Sequence, residues 1–284
     1  MEDEVRELRA ISDPLRRARQ AGDLSSRLQA AVTEVSRVRK EAIEELLQGS
    51  MTQTEIAEHL KLTRSRIGQL LKTGPRIERA FFGTSATLTV ALGGKLEAKA
   101  ENPGPVVAQE DFQAYDAFRE MARGLDFDLN YEVIQPPGLI NLNRDDLVVI
   151  CGPRLSPLIA QVLESDSDIA FDRDEHGWFL ADRNTGNICR SPMDGGDSSD
   201  YAYVGKLPRL DGKGNFLYIA GIHAVGAAGV VHYLDRHVGD LYREVKDGRF
   251  SAIVHCTFDA DTRKIRTSKL ATPIYKKNGK QRAS

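Results

Sequence analysis

The chain has 284 residues, with 41% hydrophobic and 28% charged side chains and a formal net charge of -2. That length exceeds one typical domain and suits two, and the composition is that of a globular protein, not a disordered or fibrous one. No apolar run near the amino terminus resembles a signal peptide, and none reaches the ~18 residues of a membrane span, so a cytoplasmic protein without a membrane partner is expected. The three cysteines, Cys151, Cys189 and Cys256, are far apart and form no C-x-x-C pair. Neither a disulfide framework nor a metal site is therefore indicated.

The first 83 residues read as an all-helical domain. Pro14 and Gly22 punctuate a short helical stretch. From Ser25 to Gln48, apolar residues recur at three-to-four spacing: Leu28, Ala31, Val32, Val35, Val38, Ala42, Ile43, Leu46 and Leu47. The stripe is expected to pack on the helices that follow; the alternative is a seam between two copies, since the spacing is heptad-like and a homodimer is expected. Gly49 supplies the helix stop.

Residues 51–72 carry the sharpest pattern. Thr52 with Glu55 three residues later forms a capping box that starts a helix. Ile56, Ala57 and Leu60 give its buried face, Lys61-Leu62 a tight connection, and Thr63 a cap for a second helix. In that second helix Ile67, Leu70 and Leu71 face inward, leaving Arg64, Ser65, Arg66, Gln69 and Lys72 outward. Between Lys61 and Arg79 six residues are basic and one is acidic. A short helix presenting cationic and amide side chains is what major-groove reading requires. Arg66 and Gln69 are placed for base edges, and Arg64, Lys72, Arg76 and Arg79 for phosphates. The Gln53–Ala57 opening, the Leu60–Thr63 turn and the Arg64–Leu71 helix resemble region 4 of sigma factors and related helix-turn-helix regulators. The resemblance covers residues 34–76 and implies double-stranded DNA contact by Thr63, Arg64, Ser65, Arg66 and Gln69. No segment resembles the sigma region that engages polymerase.

Residues 84–274 read as an α/β domain. The β-rich run 87–92 ends in Gly93-Gly94, and a helix follows over 110–124. Strands are expected at 131–134 and 147–151, a helix at 158–163, and hairpin strands across 168–190. Further strands at 201–204 and 216–220 precede helices at 224–234 and 238–245, and strands at 250–258 and 264–272 close the domain. Strands alternating with helices predict a largely parallel sheet with helices on both faces. Residues 275–284 form a basic tail expected to be disordered.

Two strand-to-helix junctions hold the candidate ligand residues. Ile150 to Pro157 places Gly152, Arg154 and Ser156 before a helix start, an arrangement suited to an anion. Ile219 to Gly229 places Gly221, His223 and Gly226 at another. The arrangement faintly resembles Rossmann-like nucleotide-binding domains, although His223 stands where G-x-G-x-x-G has its middle glycine. It implies a small, phosphate-bearing or nucleotide-like effector and no obligatory cofactor. Asp172 to Arg183 begins like a calcium loop but ends without the twelfth-position carboxylate, so a hairpin turn is expected. The chain thus reads as a DNA-binding transcription regulator with a ligand-sensing domain and no assigned catalytic residues. The rival reading is a nucleotide-processing hydrolase or transferase tethered to DNA, centred on His223, Arg154 and an aspartate of the 194–200 loop.

Overall fold

A computed structural model describes residues 2–97 and 101–277. The chain divides into two compact units, one comprising residues up to Arg79 with Thr84–Ala86, the other Ala80–Gly83 and the remainder.

The first unit is helical: α1 (Glu2–Ala10), α2 (Pro14–Gln48), α3 (Gln53–His59) and α4 (Arg64–Thr73). Asp13 starts α2 by accepting the Leu15 N–H at 3.0 Å, with Pro14 in the first turn. The expected break at Gly22 does not occur. Gly22 is exposed, with nothing within 4 Å of an added Cβ, so its modest helix penalty is outweighed by the turns on either side, which bury Leu24. Ile43 of α2, Ile56 and Ala57 of α3 and Ile67 of α4 form a dry centre, ringed by Leu47, Met51, Leu62, Leu70 and Leu71. The α2 stripe therefore divides. Ile43 and Leu47 pack inward as expected, whereas Val32, Val35, Val38 and Leu46 stay exposed.

The second unit is mixed α/β. Its elements run β1 (Thr87–Leu96), β2 (Pro105–Val107), α5 (Gln109–Arg123), β3 (Asp128–Ile134), β4 (Leu147–Ile150), α6 (Pro157–Leu163), β5 (Ile169–Asp174), β6 (Gly177–Asp182) and β7 (Ile188–Arg190). They continue with β8 (Ser199–Pro208), β9 (Asn215–Gly221), α7 (Ala224–Val245), β10 (Arg249–Phe258), β11 (Ile265–Leu270) and β12 (Tyr275–Lys277). The main sheet runs β11-β10-β8-β9-β4-β1, with β2 and β3 both paired to β1 and β12 paired to β10. It is parallel only across β3-β1-β4-β9. The other pairings are antiparallel, so the sheet is mixed, with the expected parallel arrangement confined to its centre. The reason is connection length: β8 turns directly into β9, and β10 into β11, without the helical crossover that parallel pairing demands.

Alternation along the strands fixes the two faces. Ala91, Val149, Tyr203, Tyr218 and Ile253 point into one core, which α6 covers with Ile159, Val162 and Leu163 and to which Leu180 of the small β5-β6-β7 sheet adds. The opposite face carries α7, whose Gly229 lies against Cys256 so closely that an added Cβ would come within 2.4 Å of Sγ. Helices on both faces were expected and are present. The two short helices expected over 224–245 are one, because Asp235 and Arg236 sit on its exposed side and do not interrupt it. Tyr275–Lys277 is a strand and not part of a loose tail. Lys277 Nζ reaches buried Asp166 at 2.9 Å, and Tyr275 Oη donates to Asp182 at 2.8 Å. The remaining tail, 278–284, lies outside the described residues.

Candidate functional sites

In the helical unit each cap forms as its residue types dictate. The Thr52 N–H donates to Glu55 Oε2 at 2.7 Å and the Glu55 N–H returns to Thr52 Oγ1 at 3.3 Å, completing the box. These bonds hold the Glu55 carboxyl below its ordinary value, led by the Thr52 backbone. Thr63 Oγ1 accepts the Arg66 N–H at 3.1 Å and starts α4. Between the helices Lys61 takes a left-handed conformation (φ 54°), and half-buried Leu62 closes the angle. Thr63, Arg64, Ser65, Arg66, Gln69, Lys72 and Arg76 are all exposed. Arg66 donates to Gln69 Oε1 at 3.0 Å, linking the two residues expected at base edges. Arg76 is already paired with Glu78, at 2.6 Å from Nε, so part of its charge is spent within the chain. Arg79 departs from expectation. It is 2% exposed and its guanidinium donates to the Ser85 carbonyl, so it ties the unit's own chain together and does not reach phosphate.

In the α/β unit the two junctions meet. β4 and β9 are parallel neighbours, with Ile150 beside Ile219. The chain leaves β4 toward α6 on one face and β9 toward α7 on the other. A crevice opens at such reversals in α/β sheets, and here it is lined by Asp111, Cys151, Gly152, Arg154, Gly221 and Ala224. Asp111, from the first turn of α5, was not foreseen; its only signal was an acid at a helix start, which ordinary capping explains equally well. Asp111 is 9% exposed, and burial raises its carboxyl to about 7 against the opposing pull of Arg154. Arg154 is exposed and makes one long bond, from Nη1 to the Ile222 carbonyl at 3.4 Å.

Several expected ligand contacts have other roles. Ser156 is fully buried: its hydroxyl donates to the Gly138 carbonyl at 2.6 Å and accepts the Ile159 N–H at 3.3 Å, capping α6 where an anion was expected. Gly221 and Gly226 let strand and helix touch. A Cβ on Gly221 would fall 2.0 Å from the His223 carbonyl, and one on Gly226 would fall 2.6 Å from Asp200 Oδ2. Gly152 has open space around it, with only the Arg154 side chain near. The amino end of α7 already faces a carboxylate, since Asp200 Oδ2 accepts the His223 N–H at 3.0 Å. Burial raises the Asp200 carboxyl to about 6, opposed by the Ser191 hydroxyl and the His223 N–H; its Oδ1 and Ser191 Oγ are buried without an aligned hydrogen-bond partner. His223 Nε2 lies 2.8 Å from Asp194 Oδ1, so the histidine does engage the 194–200 loop. Cys151 is buried, and burial, with Asp111 beside it, pushes its thiol up to about 12.

The crevice cavity is about 20 Å³, room for little more than a water. A far larger groove, about 700 Å³, lies between α5, α7 and the β10–β11 turn. Its lining includes buried Met121 and Val231 with Ala117, together with His232, Arg236 and Arg263. It went unread in the sequence because each helix shows its own apolar face but not the gap left between two. Among the described residues no three metal-ligating side chains cluster, and no helix is long and apolar enough to cross a membrane. No family model, curated protein or solved structure matches the chain.

Proposed function

We propose that the protein is a sequence-specific DNA-binding regulator whose α/β unit senses a small ligand. The observation that carries this reading is the α3–α4 pair: a doubly capped helix hairpin on a dry core, presenting Arg64, Ser65, Arg66, Gln69 and Lys72 to solvent. A solvated face without a partner usually mixes charge signs, and α4 carries no acidic residue at all. In the α/β unit, two carboxyls raised by burial beside a strand-end crevice support a ligand site there. The crevice itself admits little more than a water, so a compact polar ligand would dock at its mouth beside exposed Arg154, and a nucleotide is not favoured. Both helix starts are occupied by the protein's own groups, and an effector would use Arg154 as cation and Asp111 as acceptor.

The test is genome-wide immunoprecipitation and gel-shift titration of the protein against an Arg64→Ala/Arg66→Ala variant. Discrete sites lost in the variant support the reading, and indistinguishable profiles overturn it. Within the interface, Arg66→Ala and Gln69→Ala relax base preference by about 1–3 kcal/mol at one position. Lys72→Ala weakens every sequence and lowers the salt slope by about 0.9.

One geometry favours a second reading, that of a hydrolase or transferase: the 2.8 Å His223–Asp194 pair, a histidine held by a carboxylate beside a crevice. Turnover of a phosphoester or amide library abolished by His223→Ala would establish it.

A further inference from the structure

The exposed stripe of α2 is the least explained surface of the helical unit. Val32, Val35 and Val38 are 66%, 68% and 50% exposed, and Leu46 is 40% exposed. With Leu28, Ala31 and Ala42 they form one band along the helix, on a different face from Ile43 and Leu47, which face α3 and α4. Leu28, Val35 and Ala42 recur every seven residues, with Ala31 and Val38 three further on, the pattern of a helix–helix seam.

We infer that this band pairs with the same band of a second copy, in antiparallel orientation. The charges along it select the occupant and the direction. Arg39 lies on the stripe, is exposed, and makes no hydrogen bond or ion pair among the described residues. Glu34 and Glu41 flank the band, where both already hold buried Arg37, at 2.6 and 2.7 Å. An antiparallel register that sets Arg39 against Glu34 of the second copy also sets Val35 against Val38 and Ala31 against Ala42. It sets Glu45 against Leu28, one residue from Arg27, which Glu4 of α1 already holds at 3.0 Å. A parallel register would instead oppose each Glu45 with its own counterpart, a like-charge contact within the seam.

The seam is short. From Leu28 to Leu46 it runs about 27 Å, so it covers less than the ~800 Å² per partner of a standard interface, and the dimer is reversible. The register also has a consequence for DNA, which rests on the regulatory reading proposed above. Its midpoint falls between Glu34 and Arg39, which places the two α2 carboxyl ends roughly 35 Å apart. An antiparallel pair is two-fold symmetric, so the operator is an inverted repeat.

Sedimentation of the full chain from about 1 to 100 μM is the test. The natural protein should shift from monomer to dimer. Val35→Glu should remain monomeric with unchanged helicity, and Arg39→Glu should weaken association about tenfold. A chain that stays monomeric throughout, or a Val35→Glu variant that still dimerises, overturns the seam. Oxidising a mixture of Val35→Cys and Val38→Cys chains should give the mixed disulfide; a Val35→Cys homodisulfide in its place overturns the antiparallel register. None of these readouts involves DNA, so the seam and the DNA-binding reading can fail separately. If both hold, the Val35→Glu monomer should bind one half-site and lose cooperative binding to two.

Discussion

The helical unit and the α/β unit build their candidate sites by opposite routes. In the first, every group that matters lies within 25 residues: Thr52 caps one helix, Thr63 the next, and Ile56, Ala57 and Ile67 bring them together. In the second, Asp111, Arg154, Asp200 and His223 come from four separate segments and gather only because β1, β4, β8 and β9 are neighbours in one sheet. A site made of local caps and helical spacing tolerates drift elsewhere in the chain. A site made at strand ends depends on the register of the whole sheet.

Glycines test that difference most severely. Gly221→Ala would drive a Cβ to 2.0 Å from a backbone carbonyl that cannot rotate away. The expected loss is about 4 kcal/mol or more, seen as failed cooperative unfolding of the α/β unit in a denaturant titration. A Gly221→Ala protein of natural stability would mean that strand and helix are not locked together at this point.

Buried carboxyls provide the next contrast. Asp111 and Asp200 stand at about 7 and about 6 in the folded chain, above the ordinary unfolded value near 3.9. The folded state therefore holds protons that the unfolded state has released. Their stabilising contribution is full below about pH 4 and is lost as pH rises through 6 to 7. Asp111→Asn should consequently be more stable than the natural chain at pH 8, by a margin that shrinks as pH falls to 5 and closes near pH 4, by chemical denaturation at these values. An unchanged difference across that range would place Asp111 in contact with water. The exposed capping carboxylate Glu55, held below its ordinary value, works in the other direction and at lower pH.

The smallest effect has the opposite sign. Gly22 lies in the middle of α2 with nothing within 4 Å of an added Cβ. Gly22→Ala should raise the melting stability of the helical unit by about 1 kcal/mol. A loss in its place would show that α2 needs flexibility at that point.

Much of this architecture was legible in the residues themselves. The capping box, the Thr63 cap, the Ile56–Ala57–Ile67 core and the outward cations follow from spacing, because a helix's contacts lie three and four residues away; Leu60, expected on the same buried face, is instead 42% exposed. The positions of most strands were legible from apolar runs for the same local reason. Other features needed the fold. Whether Arg79 faced water or Ser85, whether Gly221 and Gly226 served a ligand or a helix–sheet contact, and whether Ser156 met an anion or the Gly138 carbonyl all turned on distant segments. Sheet direction likewise depended on which strands were joined by tight turns, and the α5–α7 groove on how two helices were spaced. By itself the sequence determined where most helices and strands lie and which faces they could bury, since those are set by nearest neighbours along the chain. Only the tertiary structure decided which buried faces met and which polar groups were consumed in the meeting, because burial and hydrogen bonding across 50 or 100 residues leave no periodic trace in one chain.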